Sequence, residues 1–204
     1  MSYPEAQPSG LFLKRVMTSR AEIDTEFIAP AKKMAAHGYE IVQDLVLNAE
    51  RRAAQQRYDD AVSRIYRALE LLAQIRLQRA YKIKTSEAAI ADMPEAFRKL
   101  YKNPNPDSER VSLGLVLSYE LLSACPEEPL GQLYWQDDKK IQGILKVRNN
   151  SILAHGFTPV SDTDYRKFAG IAAAFIETAI ECLCEQGKWG VPVQFPTAIP
   201  KCKN

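Results

Sequence analysis

Twelve prolines interrupt the 204-residue chain, yet none falls within residues 31–93, 130–158 or 160–191. An interior proline removes a backbone hydrogen bond and clashes with the preceding turn, at a cost of about 3 kcal/mol, so long proline-free blocks favour helix. Their apolar residues recur with helical period. Tyr58, Val62, Ile65, Leu69 and Leu72 stand three or four positions apart and make one stripe, which Arg64 and Arg67 avoid. A similar stripe of Ile41, Leu45 and Ala49 lies upstream, and the polar residues from Gln55 to Arg57 predict a hairpin between the two helices. In the last block Ser161 and Asp164 imitate a capping box. Phe168, Ile171, Ala172, Phe175, Ile176, Ala179 and Leu183 then predict a helix that ends near Gly187. Residues 101–110 (YKNPNPDSER) read as a polar loop, and residues 113–124 as a shorter helix stopped by Cys125 and Pro126. The expected fold is all-α, a helical bundle over residues 19–186. Residues 1–18 and 187–204 carry proline and glycine without helical period and read as extended or disordered tails, the second with a strand-like alternation of Val191, Val193 and Phe195.

Composition narrows the chemistry. A hydrophobic share of 46% and a charged share of 25% suit a single soluble domain with a buried core. No apolar run reaches the roughly 20 residues that cross a bilayer, and MSYPEAQPSG lacks the order of a signal peptide, so a cytoplasmic protein without a membrane partner is expected. Cys125, Cys182, Cys184 and Cys202 are too sparse for a disulfide scaffold and read as reduced thiols. With His37 and His155 as the only histidines, a His-rich metal centre is excluded. Dinucleotide-binding, P-loop and zinc-protease motifs are missing, and Cys182 and Cys184 on a helix would point about 200° apart. The acidic pairs Asp59-Asp60, Glu127-Glu128 and Asp137-Asp138 fall at expected helix starts or loops, where carboxylates cap. No metal or cofactor is expected. Residues 57–73 resemble half a tetratricopeptide repeat, but no second copy follows at the required interval.

Net charge is only +2, but residues 51–84 hold nine lysines and arginines against three acids. Such a face attracts a phosphate backbone, with Arg51, Arg52, Arg64, Arg67 and Arg76 as candidate RNA-binding residues; a merely solvated helix face is the plainer account. Residues 141–156 (IQGILKVRNNSILAHG) are more specific. On a continuous helix Ile141, Ile144, Leu145, Arg148, Ile152 and His155 share one stripe, because two turns fall short of seven residues by only about 20°. Two ionisable groups would then sit in an apolar face. A cleft or subunit interface that admits a phosphate accounts for both, while a histidine before Gly156 also suits a simple helix cap.

The arrangement of Arg148, the polar Asn149 and His155, with six residues between arginine and histidine, resembles the signature of HEPN ribonucleases. Around it, residues 48–52 (NAERR), 57–62 (RYDDAV), 64–70 (RIYRALE) and 150–156 (NSILAHG) resemble the C-terminal HEPN half of a CRISPR-associated CARF–HEPN family. The resemblance spans roughly residues 39–185 and implies a HEPN-like bundle with ribonuclease activity. That family usually carries a CARF sensor before the HEPN domain, switched by cyclic oligoadenylate. Fewer than about 40 residues precede the first strong helix, so a fragment, a split gene product with a separate CARF-type sensor as partner, or a stand-alone protein is expected.

The expected activity is metal-independent cleavage of single-stranded RNA, linked to antiviral defence. Imidazole can move protons to and from the reacting oxygens, and guanidinium can stabilise the phosphorane. His155 is the acid or base candidate, Arg148 the phosphate clamp and Asn149 the orienting residue; DNA, lacking the 2′-OH, is not a substrate. The alternative is a non-catalytic helical module that binds RNA or protein. Seven helical residues separate Arg148 from His155 by about 10 Å, which predicts a homodimer whose antiparallel helices bring the two together in trans, with Ile144, Leu145 and Ile152 as its apolar interface.

Overall fold

The proline-free blocks hold the long helices in the computed structural model, which describes residues 7–23, 38–103, 107–151, 156–184 and 192. Helix α1 spans Gln7–Ile23, α2 Glu40–Ala54, α3 Tyr58–Tyr81, α4 Glu95–Leu100, α5 Leu115–Ser123, α6 Pro129–Asn150 and α7 Asp162–Leu183. A two-residue antiparallel ladder, β1 Ala88–Ala89 with β2 Arg110–Val111, ties the loop after α3 to the start of α5. The fold is all-α.

Helix α3 is the centre of the bundle. It buries ten side chains, among them Val62, Ile65, Leu69 and Leu72 of the expected stripe, and packs against α2, α5, α6 and α7. The α2–α3 hairpin forms as expected, with Gln56 in the left-handed region at φ 60°. The Ser161 hydroxyl caps α7 by accepting from the Asp164 amide at 3.1 Å. Two stacked tyrosines lock the middle: Tyr119 lies 4.6 Å from Tyr134, and its hydroxyl donates to the Leu69 carbonyl at 2.9 Å. Gly131 allows α6 to approach α5, because a Cβ there would stand 2.7 Å from the Leu122 and Ser123 backbone.

Four expectations change. The N-terminal segment is helical over Gln7–Ile23, not extended: Phe12 and Val16, one turn apart, are buried, and Ser19 donates to Glu40 at 2.8 Å. Helix α7 stops at Leu183, four residues before Gly187. Helix α6 ends at Asn150, with Ser151 extended at ψ 156°, so no continuous helix joins Arg148 to His155. Asn149, Asn150 and Ser151 explain the stop, since their short polar side chains compete for backbone hydrogen bonds and favour helix ends. Ile144 and Leu145 are buried within their own chain, which removes them from any subunit interface. The proposed strand of Val191, Val193 and Phe195, along with His37, Ile152 and His155, lies outside the described residues.

The start of α6 is fixed by a buried ion pair. Glu128, whose side chain is 0% exposed, accepts from Arg76 Nε at 3.0 Å and Arg76 Nη2 at 2.8 Å. The same carboxylate accepts from the Tyr81 hydroxyl at 2.7 Å and the Leu130 amide at 3.2 Å, just before Pro129 opens the helix. Removing one partner strands a desolvated charge. Arg76→Ala should therefore destabilise the protein by about 3 kcal/mol in urea unfolding. Arg67→Ala, which breaks an exposed pair, should stay within about 0.5 kcal/mol.

Candidate functional site

Arg148 sits in the last turn of α6, where the helix dipole favours a cation. Its guanidinium lies 4.4 Å from the centroid of the Tyr66 ring on α3, a cation–π contact, and its Nη1 donates to Asn149 Oδ1 at 3.1 Å. With that oxygen engaged, the amide nitrogen of Asn149 points its donors elsewhere. Burial pushes the Tyr66 phenol up, Glu70 adds to the rise, and Arg148 and Arg67 pull the other way. The phenol stays neutral at pH 7 and keeps its donor. Sequence reading assigned Tyr66 no role, although its place four residues before Glu70 and one before Arg67 is visible there.

Beyond α6 two backbone hydrogen bonds close a base between residues 150–151 and 156–158. The Gly156 amide, which joins His155 to Gly156, donates to the Ser151 carbonyl at 3.2 Å, and the Thr158 amide donates to the Asn150 carbonyl at 3.2 Å. Gly156 presses against Asn150 so closely that a Cβ would overlap the Asn150 carbonyl oxygen. Ser151 is buried at this base, and its hydroxyl has no hydrogen-bond partner among the described residues. Farther along, the Val160 amide stands 3.3 Å from both carboxylate oxygens of Asp59, in the first turn of α3. Asp59 and Tyr66 thus hold the chain on either side of this base, at Val160 and Arg148, against one helix. The sequence suggested only a capping role for Asp59.

The basic residues are more engaged than their count implies. Arg51 pairs with Asp44 at 3.3 Å, and Arg67 with Glu70 at 2.6 Å and Gln74 at 2.8 Å. Arg52, Arg57 and Arg64 converge on Asp60 at 3.4, 3.1 and 3.1 Å. Arg76 is held by Glu128 inside the fold. Counting acids only within residues 51–84 missed Asp44 and Glu128, which come from outside that window.

Among the described residues no group of three or more His, Cys, Asp or Glu is placed to hold a metal ion, and no helix is long and apolar enough to cross a membrane. A family model described as the Csm6 HEPN domain matches residues 31–179. No curated protein and no solved structure matches the chain.

The loop anchor can be checked directly. Asp59→Ala should raise the hydrogen-exchange rate of the Val160 amide by about tenfold or more, the loss expected when a charge-assisted hydrogen bond goes, while amides in the middle of α3 keep their protection.

Proposed function

The chain belongs to the CRISPR-associated Csm6 HEPN domain family, and from that premise we propose that it is a metal-independent endoribonuclease acting on single-stranded RNA. The observation that carries this proposal is the Arg148 guanidinium, fixed on Tyr66 and bonded to Asn149, three residues before Ser151, whose carbonyl accepts from the amide of Gly156, the residue after His155 in sequence. In the proposed reaction the substrate's 2′-OH gives up its proton and attacks the adjacent phosphorus. The bond to the 5′-oxygen breaks, and that oxygen takes a proton, leaving a 2′,3′-cyclic phosphate. His155 moves the protons. Arg148 binds the phosphoryl oxygens through its paired N–H groups and steadies the added charge, and the Asn149 amide donates to a phosphate oxygen. Arg52, Arg57 and Arg64, gathered at Asp60, contact the strand's phosphates with Arg51 and Arg67, which are nearby in sequence. Arg76 serves the fold instead. We place the activity in the cytoplasm and in antiviral defence; the free thiols of Cys125, Cys182 and Cys184 suit a reducing compartment.

Purified protein with labelled single-stranded RNA in EDTA should yield 2′,3′-cyclic phosphate ends and leave DNA intact. Arg148→Ala and His155→Ala should each lower the rate by about 10² or more with little change in RNA affinity. Strict dependence on Mg²⁺ or 3′-hydroxyl products would overturn the acid–base assignment. Salt-sensitive binding without cleavage would instead identify a non-catalytic RNA-binding module.

We retain a homodimer as a proposal, on ground other than helix length. Phe157 is 92% exposed immediately after Gly156, and a second copy placed over the loop would cover it. If each site draws on both subunits, exchange between Arg148→Ala and His155→Ala proteins should restore measurable cleavage, with each variant exchanged against itself as control. Confirmed heterodimers without recovery would mean that the two residues act in cis.

A further inference from the structure

Arginines around the α2–α3 hairpin end on carboxylates: Arg51 on Asp44, Arg52, Arg57 and Arg64 on Asp60, and Arg67 on Glu70. Arg148 is held differently. Among the described residues its guanidinium meets the ring of Tyr66, with Cζ 4.4 Å from the centroid, and the amide oxygen of Asn149, 3.1 Å from Nη1. Neither partner is an anion. A carboxylate fixes a guanidinium by engaging its paired N–H groups and opposing its charge, whereas a ring fixes it through the flat face and leaves the N–H edges available.

The two contacts divide the guanidinium between them. Tyr66 covers one face and Asn149 takes an N–H of Nη1, so the edge formed by Nε and Nη2 is used by neither. That edge presents two parallel donors, the pattern that matches two oxygens of a phosphodiester. The platform beneath is firm. Tyr66 stands on α3 between Val62, one turn before it, and Leu69, one turn after it, and both are buried in the core. Its own ring is half-buried against that core and has few torsions to fix, so a long, flexible arginine is ordered on a part of the molecule that is already rigid.

We propose that Tyr66 is the positioning residue of Arg148: its ring sets the plane of the guanidinium so that the Nε–Nη2 edge meets a phosphodiester, and its hydroxyl is dispensable. The proposal rests on the reading of Arg148 as the phosphate clamp of a ribonuclease and adds the group that aims the clamp. A guanidinium released from the ring keeps its charge and its place at the end of α6 but loses its direction. Attraction for the strand then survives while alignment at phosphorus is lost, a cost in kcat and not in KM.

Steady-state cleavage of single-stranded RNA tests this. Tyr66→Phe, which keeps the ring, should stay within about twofold of wild type, and Tyr66→Leu should lower kcat by about tenfold with KM changed by less than about twofold. In an Arg148→Ala background Tyr66→Leu should add no further loss, because nothing is left to aim. A further loss there, equal losses in Tyr66→Phe and Tyr66→Leu, or a Tyr66→Leu protein as active as wild type would overturn the proposal. The Arg148 Nε–H resonance, identified by its disappearance in Arg148→Lys, gives a reading that needs no cleavage. In wild type and Tyr66→Phe it should lie upfield of ordinary arginine signals, since it sits over a ring, and should move when a 2′-deoxy oligonucleotide supplies phosphodiesters without the reactive hydroxyl. Both effects should vanish in Tyr66→Leu, and the first two proteins carry the test even if that variant does not fold. An Nε–H at the ordinary position in wild type, or one that ignores the oligonucleotide, would overturn the proposal whatever the cleavage assay shows. A responsive, upfield Nε–H in a wild type that leaves RNA intact would end the ribonuclease reading and still leave Tyr66 as the residue that aims Arg148.

Discussion

The buried carboxylate of Glu128 joins parts of the chain that nothing else holds so firmly. It ties Arg76 and Tyr81 on α3 to the first turn of α6, and it caps that turn itself. Desolvating a charge is costly, and here bidentate pairing and two further donors offset the cost. The result is a tie between the two helices that carry the candidate site. With the base of α6 pinned, Arg148 about 30 Å along the axis arrives over Tyr66, and the loop after it returns to Asp59 at the start of α3. A small shift at Glu128 would be magnified along that length.

The arginines of the α2–α3 hairpin are held by carboxylates, Arg51 by Asp44 and Arg52, Arg57 and Arg64 together by Asp60. Long-range attraction depends on how such charges are distributed more than on their total.

Helical architecture was legible from proline placement and apolar period because both act within a few residues. The α2–α3 hairpin, the Ser161 cap and the core stripe of α3 all follow from neighbours in the chain. Helix α1 was missed because its buried side mixes Phe12 and Val16 with Ser9, Thr18 and Ser19, which leaves too few apolar residues for a clear period. The candidate site can be read in the sequence as residue types, Arg148 with Asn149, but not as geometry. Period continued through Asn149-Asn150-Ser151 as though the helix did, whereas competition by those short polar side chains ends it. Tyr66 and Asp59 were invisible for another reason. Each matters through a partner about 80 to 100 residues away, and no local pattern encodes that distance.

The stop at Asn150 also changes what the spacing between Arg148 and His155 means. On a helix every added or deleted residue turns a side chain by about 100°, so a motif of that kind tolerates almost no variation in length. Here the helix ends at Asn150, and the Ser151 carbonyl is joined to the Gly156 amide, so the interval has to meet a closure rather than a helical pitch. The arginine-to-histidine count is in that sense a length and not a phase, which gives a physical reason for a HEPN signature to accept more than one spacing.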